Sequence, residues 1–144
     1  MTDELPPTVH GTAVALDGRA VLILGGSGAG KSDLGLRLIE AGWMLVADDR
    51  VVLSRRSETL VAAPPKPLAG LIEARGIGLC RIPFLEEAEV VLAAELIVAS
   101  QVERLPEPAA RTFLGVSIPL INIASFEASA PAKLRLALKG GVAR

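Results

Sequence analysis

The chain of 144 residues has few aromatic side chains and almost no net charge. It contains no tyrosine, one tryptophan and three phenylalanines, and its formal charge at pH 7 is −1. Proteins that grip nucleic acid need a basic surface, and many of them stack bases on aromatic rings. Because both features are scarce here, we expect no nucleic-acid partner.

Cysteine and long apolar runs are also scarce. The single cysteine, Cys80, excludes a disulfide within the chain and is typical of a reducing compartment. We expect it to be a small buried residue. The most apolar stretch, residues 90–99, contains Glu95 and is too short to cross a bilayer. Residues 1–7 are acidic and proline-rich, unlike a signal peptide. We therefore expect a soluble cytoplasmic protein that does not associate with membranes.

Aliphatic residues are abundant in this chain. Hydrophobic residues make up 51% of it, mostly valine, leucine, isoleucine and alanine, which is typical of a partly parallel sheet covered by helices. A chain of this length is large enough for one core. The composition therefore predicts a single α/β domain over residues 1–144.

Residues 25–32 fill every fixed position of the phosphate-binding pattern G-x-x-x-x-G-K-[ST]. The strand-like residues 19–24 precede this loop and the helix-like residues 33–40 follow it, which is the setting that a phosphate loop needs. A glycine-serine turn that only precedes a helix is the alternative, and the filled pattern with both fitting flanks disfavours it. The predicted cradle consists of Gly25, Gly26, Ser27, Gly28, Ala29, Gly30, Lys31 and Ser32.

This loop predicts a nucleoside triphosphate site. Backbone N–H groups and the start of a helix would face the phosphates. Lys31 is expected to reach the β- and γ-phosphates, and the Ser32 hydroxyl is expected to bind Mg²⁺.

Local signals place further strands and helices around the loop. Asp17-Gly18 separates two strand patterns, residues 9–16 and 19–24, and favours a tight hairpin, so the strand that leads into the loop is predicted to pair antiparallel with the one before it. The helix that begins at Lys31 is expected to end at Gly42. The remaining predicted elements are a strand at 44–47, a hairpin of 50–54 and 59–63, a strand within 90–99 whose first half could be helical, a strand at 116–123 and a helix at 130–139.

Two adjacent carboxylates, Asp48 and Asp49, close the strand that follows the predicted phosphate-loop helix. At a strand end such a pair is ordinarily a solvated turn. Behind a phosphate loop we favour a functional role, because a magnesium–nucleotide site needs carboxylates near the γ-phosphate. One carboxylate could accept a proton from an attacking hydroxyl while the other helps to order the metal.

Four other side chains are candidates whose residue type alone does not decide their role. His10 is the only histidine, and a single histidine near a strand end is usually structural or solvated. Arg75 and Arg104 are candidate charge stabilisers for a transferring phosphoryl group, although each singly is more typical of a surface arginine. Glu73 is either a metal ligand or an edge carboxylate paired with Arg75.

Taken together, these fragments resemble the catalytic domain of the HPr kinase/phosphorylase family. The matching motifs stand in the family's order, with its spacing from the histidine through the phosphate loop to the aspartates. They cover residues 9–83 closely and the remainder loosely. The motifs are His10-Gly11, the loop at 25–32, Gly42-x-x-Leu45-Val46-Ala47-Asp48-Asp49 and Leu71-x-Glu73-x-Arg75-Gly76-x-Gly78.

The resemblance implies a P-loop kinase fold of the phosphoenolpyruvate carboxykinase-like type, a mixed sheet with flanking helices. It implies phosphorylation of a serine on HPr, or on its nitrogen-branch relative, with ATP and Mg²⁺. By that analogy Lys31 and Ser32 bind phosphate and Mg²⁺, and Glu73 adds a metal ligand. The aspartate pair supplies the base, for which we favour Asp49 without separating it from its neighbour. His10 then lies in the catalytic pocket, and Arg104 matches the family's later catalytic arginine.

Three departures from the family limit what the resemblance implies. The long forms carry an N-terminal domain, whereas this chain begins almost at the catalytic core, like the compact alphaproteobacterial versions. The late Pro-Gly-Arg-Asn-type loop, associated with dephosphorylation, has no clear counterpart near residues 118–122. The C-terminal helix is replaced by the shorter segment 129–139.

Kinase activity on an HPr-like carrier is therefore the expected function, while phosphorolysis of the phosphoserine stays open. The long forms assemble as hexamers, and whether this chain forms a homo-oligomer also stays open. The alternatives are an ATP-binding regulatory module without phosphotransfer and a small-molecule P-loop kinase. We favour the protein kinase because base-like and metal-like residues are present and the compact chain leaves little room for a substrate lid.

Overall fold

A central mixed sheet with two α-helices forms the body of the computed structural model, which describes residues 7–143. Short 3-10 turns lie at Lys66–Leu68 and Ala99–Gln101. The elements are β1 (Thr8–His10), β2 (Thr12–Leu16), β3 (Arg19–Leu24), α1 (Lys31–Glu40), β4 (Met44–Ala47), β5 (Arg50–Arg56), β6 (Thr59–Ala63), β7 (Leu71–Ala74), β8 (Gly78–Arg81), β9 (Ala88–Leu96), β10 (Ala109–Phe113), β11 (Val116–Ile123) and α2 (Ala130–Leu138).

Within residues 7–143, nine strands form the main sheet, and their directions bring several chain segments to one edge. The order is β1-β5-β6-β9-β3-β2-β4, with β11 pairing the second half of β9 and β10 pairing β11. Strands β3, β9 and β11 are parallel, so the segments that follow them leave at the same edge. Strand β2 is antiparallel to both β3 and β4, which places the start of β2 and the end of β4 at that edge too. Strands β7 and β8 form a separate hairpin.

Strand β3 is buried on both faces, which explains its continuous apolar sequence. Val21 and Ile23 pack with the inner faces of the helices, where Leu34 and Leu38 of α1 and Leu134 of α2 are fully buried. Ala20, Leu22 and Leu24 face the other side, where they pack with residues of β5 and β6. Burying a leucine side chain is worth about 1.5–3 kcal/mol, so both layers hold β3 in place.

Local turn signals predicted the region around β3 correctly. The hairpin at Asp17-Gly18 joins β2 to β3 in antiparallel register. Helix α1 ends before Gly42, whose φ of 102° lies in the left-handed region that glycine adopts without steric cost. The hairpin of β5 and β6 is also confirmed, with β5 continuing two residues further than expected, to Arg56. The mixed α/β character of the fold is therefore confirmed.

Several expectations were wrong in detail. The strand expected over 9–16 is interrupted at Gly11, because the chain there changes partner from β5 to β3 and β4. The strand expected within 90–99 is confirmed, and its first half is strand and not the alternative helix, since β9 pairs with β3 from Glu89 to Glu95. Strand β10 and the β7–β8 hairpin were not predicted. Cys80 is only partly buried, because it lies on that hairpin and not in the main sheet.

The acidic, proline-rich start falls outside the described residues, except for Pro7. Within residues 7–143, no helix combines the length and the apolar character needed to cross a bilayer.

Candidate active site

The predicted phosphate loop joins β3 to α1 at the sheet edge where the chain segments converge. Gly30 takes a left-handed φ of 94° directly before the helix, and its carbonyl accepts the first helical hydrogen bond from the Leu34 N–H, at 2.9 Å. Lys31 is only 8% exposed, and its Nζ donates to the carbonyl oxygens of Gly25 at 2.8 Å and Gly26 at 2.9 Å. These bonds hold the ammonium group within the loop.

Asp48 is a buried carboxylate that ties three segments of the site together. Its side chain is at the end of β4 and the residue is 4% exposed. Oδ1 accepts hydrogen bonds from Ser32 Oγ and Thr12 Oγ1, both at 2.7 Å, and Oδ2 accepts one from the Glu73 backbone N–H at 3.0 Å. Asp48 therefore fixes the helix start, strand β2 and the β7–β8 hairpin relative to one another.

Asp49 points away from Asp48 and into solvent. Its φ of 71° is uncommon for a residue other than glycine, and it turns the chain sharply from β4 into β5. The side chain is 64% exposed, and its Oδ1 lies 3.1 Å from His10 Nε2. The Asp49 carbonyl also accepts a hydrogen bond from the Gly11 N–H, at the point where β1 gives way to β2. The turn thus separates two adjacent aspartates into one buried and one accessible carboxylate.

Lys31, Ser32 and Asp49 line an open cleft of about 510 Å³, a volume within the usual range of ligand sites. The buried Asp48 is not itself among the lining residues. The lining of the cleft brings together most of the residues that the sequence singled out. The lining residues are His10, Thr12, Ser27, Gly28, Gly30, Lys31, Ser32, Asp33, Leu36, Asp49, Glu73, Ala74, Arg75 and Phe126.

The β7–β8 hairpin supplies one wall of the cleft. Glu73 and Arg75 both line the cleft from this hairpin. Among the ion pairs of the described residues, none joins Glu73 to Arg75. Arg104 is not among the lining residues. It is exposed in the segment between β9 and β10, which leaves the sheet at the same edge as the phosphate loop.

Sequence reasoning missed Thr12 and the segment from Ala124 to Ser129. Thr12 is fully buried and directly follows the His10-Gly11 motif. That position indicates a role in the site only once β2 is known to pair with β4, because this pairing brings Thr12 to Asp48. The segment 124–129 follows β11 and packs on the phosphate loop, where Ser125 Oγ donates to the Ala29 carbonyl at 2.6 Å. Its place could have been inferred only from the parallel pairing of β11 with β9.

Comparison with protein families gives a match over residues 4–133 to the HPr serine kinase C-terminal domain. The chain belongs to this family. The HPr kinase/phosphorylase of Streptococcus equi subsp. zooepidemicus is 39% identical over 128 residues, which are 81% of this chain and 41% of that protein. The family member from Enterococcus faecalis, also named HPr kinase/phosphorylase, is 48% identical over 85 residues, which are 58% of this chain and 27% of that protein. The chain thus spans about two fifths or less of these relatives.

A solved member of the family shares the fold. The Hpr(Ser) kinase/phosphatase from Coxiella burnetii superposes with a TM-score of 0.82 and 26% sequence identity. The match covers 94% of this chain and 95% of the solved chain. The mixed sheet and the few helices described above are therefore the architecture of a known member of this family.

Proposed function

We propose that the chain is an ATP-dependent protein kinase that phosphorylates a serine of an HPr-like phosphocarrier protein. The observation that carries this proposal is one accessible carboxylate, Asp49, in the same cleft as Lys31 and Ser32 of the phosphate loop. Family membership and the printed names of the relatives support the same activity. The antiparallel strand that leads into the loop strand supports the carboxykinase-like type of P-loop fold.

The residues around α1 fit a magnesium–triphosphate group. Lys31 supplies a cation, and the N-terminus of α1 supplies N–H groups and the positive end of its dipole. Within residues 7–143, no cluster of three or more metal-ligating side chains could hold a metal by itself. Mg²⁺ usually takes one or two protein oxygens together with substrate phosphates. The Ser32 hydroxyl, with Asp48 behind it and Glu73 lining the same cleft, is a donor set of that kind.

The two aspartates then take different roles. Asp48 is buried and accepts hydrogen bonds from three directions, so we assign it to orienting Ser32 and the metal site. Asp49 is exposed to the cleft, so we assign it as the base that takes the proton of the substrate serine. The serine oxygen attacks the γ-phosphorus, the bond from that phosphorus to the bridging oxygen breaks, and ADP leaves. His10 holds the Asp49 carboxylate in place through their 3.1 Å contact.

Arg75 is the arginine that we assign to the charge of the transferring phosphoryl group, because it lines the cleft beside Glu73. Arg104 remains a prediction from the sequence. That the chain functions as a single catalytic domain in the cytoplasm, as a monomer or as a homo-oligomer, also belongs to this proposal.

A direct transfer assay tests the proposal. The purified protein is incubated with Mg-ATP and an HPr-like carrier, and phosphoserine on the carrier is detected by mass spectrometry. The matched control is the same carrier with its target serine replaced by alanine. We expect one phosphoryl group on the native carrier and none on the control. ATP binding without transfer to any HPr-like carrier would contradict the proposal and favour a regulatory nucleotide-binding module. Addition of inorganic phosphate to the phosphorylated carrier tests phosphorolysis separately.

A further inference from the structure

Phe126 is an exposed aromatic ring that lies against the phosphate loop. It is 73% exposed, yet its ring edge contacts the start of α1: a Cβ atom added to Gly30 would lie 2.9 Å from Cε1 and from Cζ. The other large aromatic side chains of the described residues serve elsewhere. Trp43 is 4% exposed in the core, Phe84 packs on Gly70, and Phe113 packs on the sheet. Phe126 is thus the one phenylalanine or tryptophan of residues 7–143 in the cleft.

The segment that carries Phe126 is anchored on both sides of the ring. The Ser125 hydroxyl donates to the Ala29 carbonyl, and the Ser125 residue is 3% exposed. The Arg37 guanidinium of α1 donates to the backbone carbonyls of Ser125 and Glu127. Lys133 of α2 pairs with the Glu127 carboxylate at 2.7 Å. The ring is therefore held in place although solvent covers most of its surface.

Phe126 lies on one side of α1, and Asp48 and Asp49 lie on another side. Ser32 bonds to Asp48, and Gly35, three residues later, faces Thr12 of β2, so this side of the helix faces the carboxylates. Arg37 lies on another face of the helix, because successive residues are about 100° apart, and it holds the Phe126 segment. Consider a triphosphate with its γ-phosphate near Asp49 and its other phosphates along the loop past Lys31. The nucleoside of such a triphosphate would lie at Phe126.

We propose that Phe126 binds the nucleobase of the nucleotide by stacking. The proposal rests on the proposed function only in taking a nucleotide as the ligand. An exposed ring held beside a phosphate cradle suits this role, because every base offers a flat π-face and stacking on an aromatic side chain contributes substantially to base binding. The phosphate loop then supplies affinity for the phosphates, and Phe126 supplies affinity for the base.

Calorimetric titrations with Mg²⁺ present separate the two contributions. ADP has a base, whereas inorganic pyrophosphate offers only the phosphates. We expect Phe126→Ala to weaken ADP binding about tenfold and pyrophosphate binding less than about twofold. Phe126→Trp keeps ADP affinity, and its fluorescence changes with ADP but not with pyrophosphate. Leu136→Ala is the matched control, since Leu136 is an exposed apolar residue of α2 outside the cleft.

The outcomes are distinct. Equal weakening of both ligands would overturn the proposal, because Phe126 would then only shape the phosphate loop. Unchanged or tighter ADP binding to Phe126→Ala would also overturn it. Absence of carrier phosphorylation, with the selective loss of ADP binding still observed, would contradict the kinase and support the base site.

Discussion

Replacement of Thr12 by valine tests whether Asp48 holds the site together. Thr12 is fully buried in β2, and its hydroxyl donates to Asp48 Oδ1 at 2.7 Å. Its methyl group packs on α1, where a Cβ atom at Gly35 would lie 2.9 Å from Thr12 Cγ2. Valine keeps the branched shape and this methyl contact, so the substitution removes one hydrogen bond and leaves no cavity.

The expected loss follows from the nature of that hydrogen bond. A hydrogen bond to a charged group is worth about 1.5–3 kcal/mol, more than a neutral one, because the acceptor carries charge and is shielded from water. Asp48 would keep its bonds from Ser32 and from the Glu73 N–H. We therefore expect Thr12→Val to lower the free energy of unfolding by about 1.5–3 kcal/mol, and the Tm by about 5–10 °C.

Urea denaturation of the wild type, Thr12→Val and Thr112→Val measures this loss. Thr112 lies on β10 with an exposed side chain, and its replacement should change stability by less than about 0.5 kcal/mol. The slope of the free energy against urea should be the same in all three proteins. If Thr12→Val is as stable as the Thr112→Val control, Asp48 does not depend on its buried partners and the proposed role is wrong.

Three further predictions concern the loop, the helix and the surface. Lys31→Ala should abolish nucleotide binding in calorimetry, because the phosphates lose their cation, whereas Lys139→Ala should bind normally; equal binding by both would refute the role of the loop. Gly35→Ala should cost about 1–3 kcal/mol in urea denaturation, since the new Cβ meets Thr12, and a gain in stability would mean that helix propensity outweighs the clash. The hydrogen bond from Arg56 lowers the pKa of the Glu87 carboxyl below its ordinary value. The stabilisation from this ion pair is therefore present at a pH above the ordinary pKa and is lost as the pH falls through the lowered pKa of the folded protein. Arg56→Gln should return the Glu87 titration, followed by NMR, to the ordinary range, and an unchanged titration would contradict this cause.

The sequence predicted those parts of the fold that depend on local signals. The phosphate loop, the Asp17-Gly18 turn and the end of α1 just before Gly42 each follow from residues within a few positions of one another. The β7–β8 hairpin escaped prediction, because its glycines and charges obscure the alternation of a strand. Strand β10 escaped for a related reason, since its side chains are mostly exposed and lack an apolar period.

The different roles of Asp48, which orients Ser32, and Asp49, which we assign as the base, could not be predicted from two adjacent aspartates in the sequence. The difference depends on the positive φ of Asp49, which turns one carboxylate into the interior and leaves the other in the cleft. Thr12 and Phe126 reach the site only through strand pairing, Thr12 through β2 with β4 and Phe126 through β11 with β9. The sequence thus located the phosphate loop together with His10, Glu73 and Arg75 of the cleft. Tertiary structure was needed to find Thr12 and Phe126 and to distinguish the two aspartates.

Replacement of Asp49 by asparagine tests whether Asp49 is the base of a serine kinase. Asp17→Asn is the matched control, because Asp17 is also an exposed aspartate with a positive φ at a turn, outside the cleft. Transfer of the γ-phosphoryl group to the carrier serine is measured beside ADP affinity for both variants. We predict that Asp49→Asn binds ADP like the wild type and loses transfer by at least about 100-fold, while Asp17→Asn retains it. Transfer by Asp49→Asn at the wild-type rate would contradict the account.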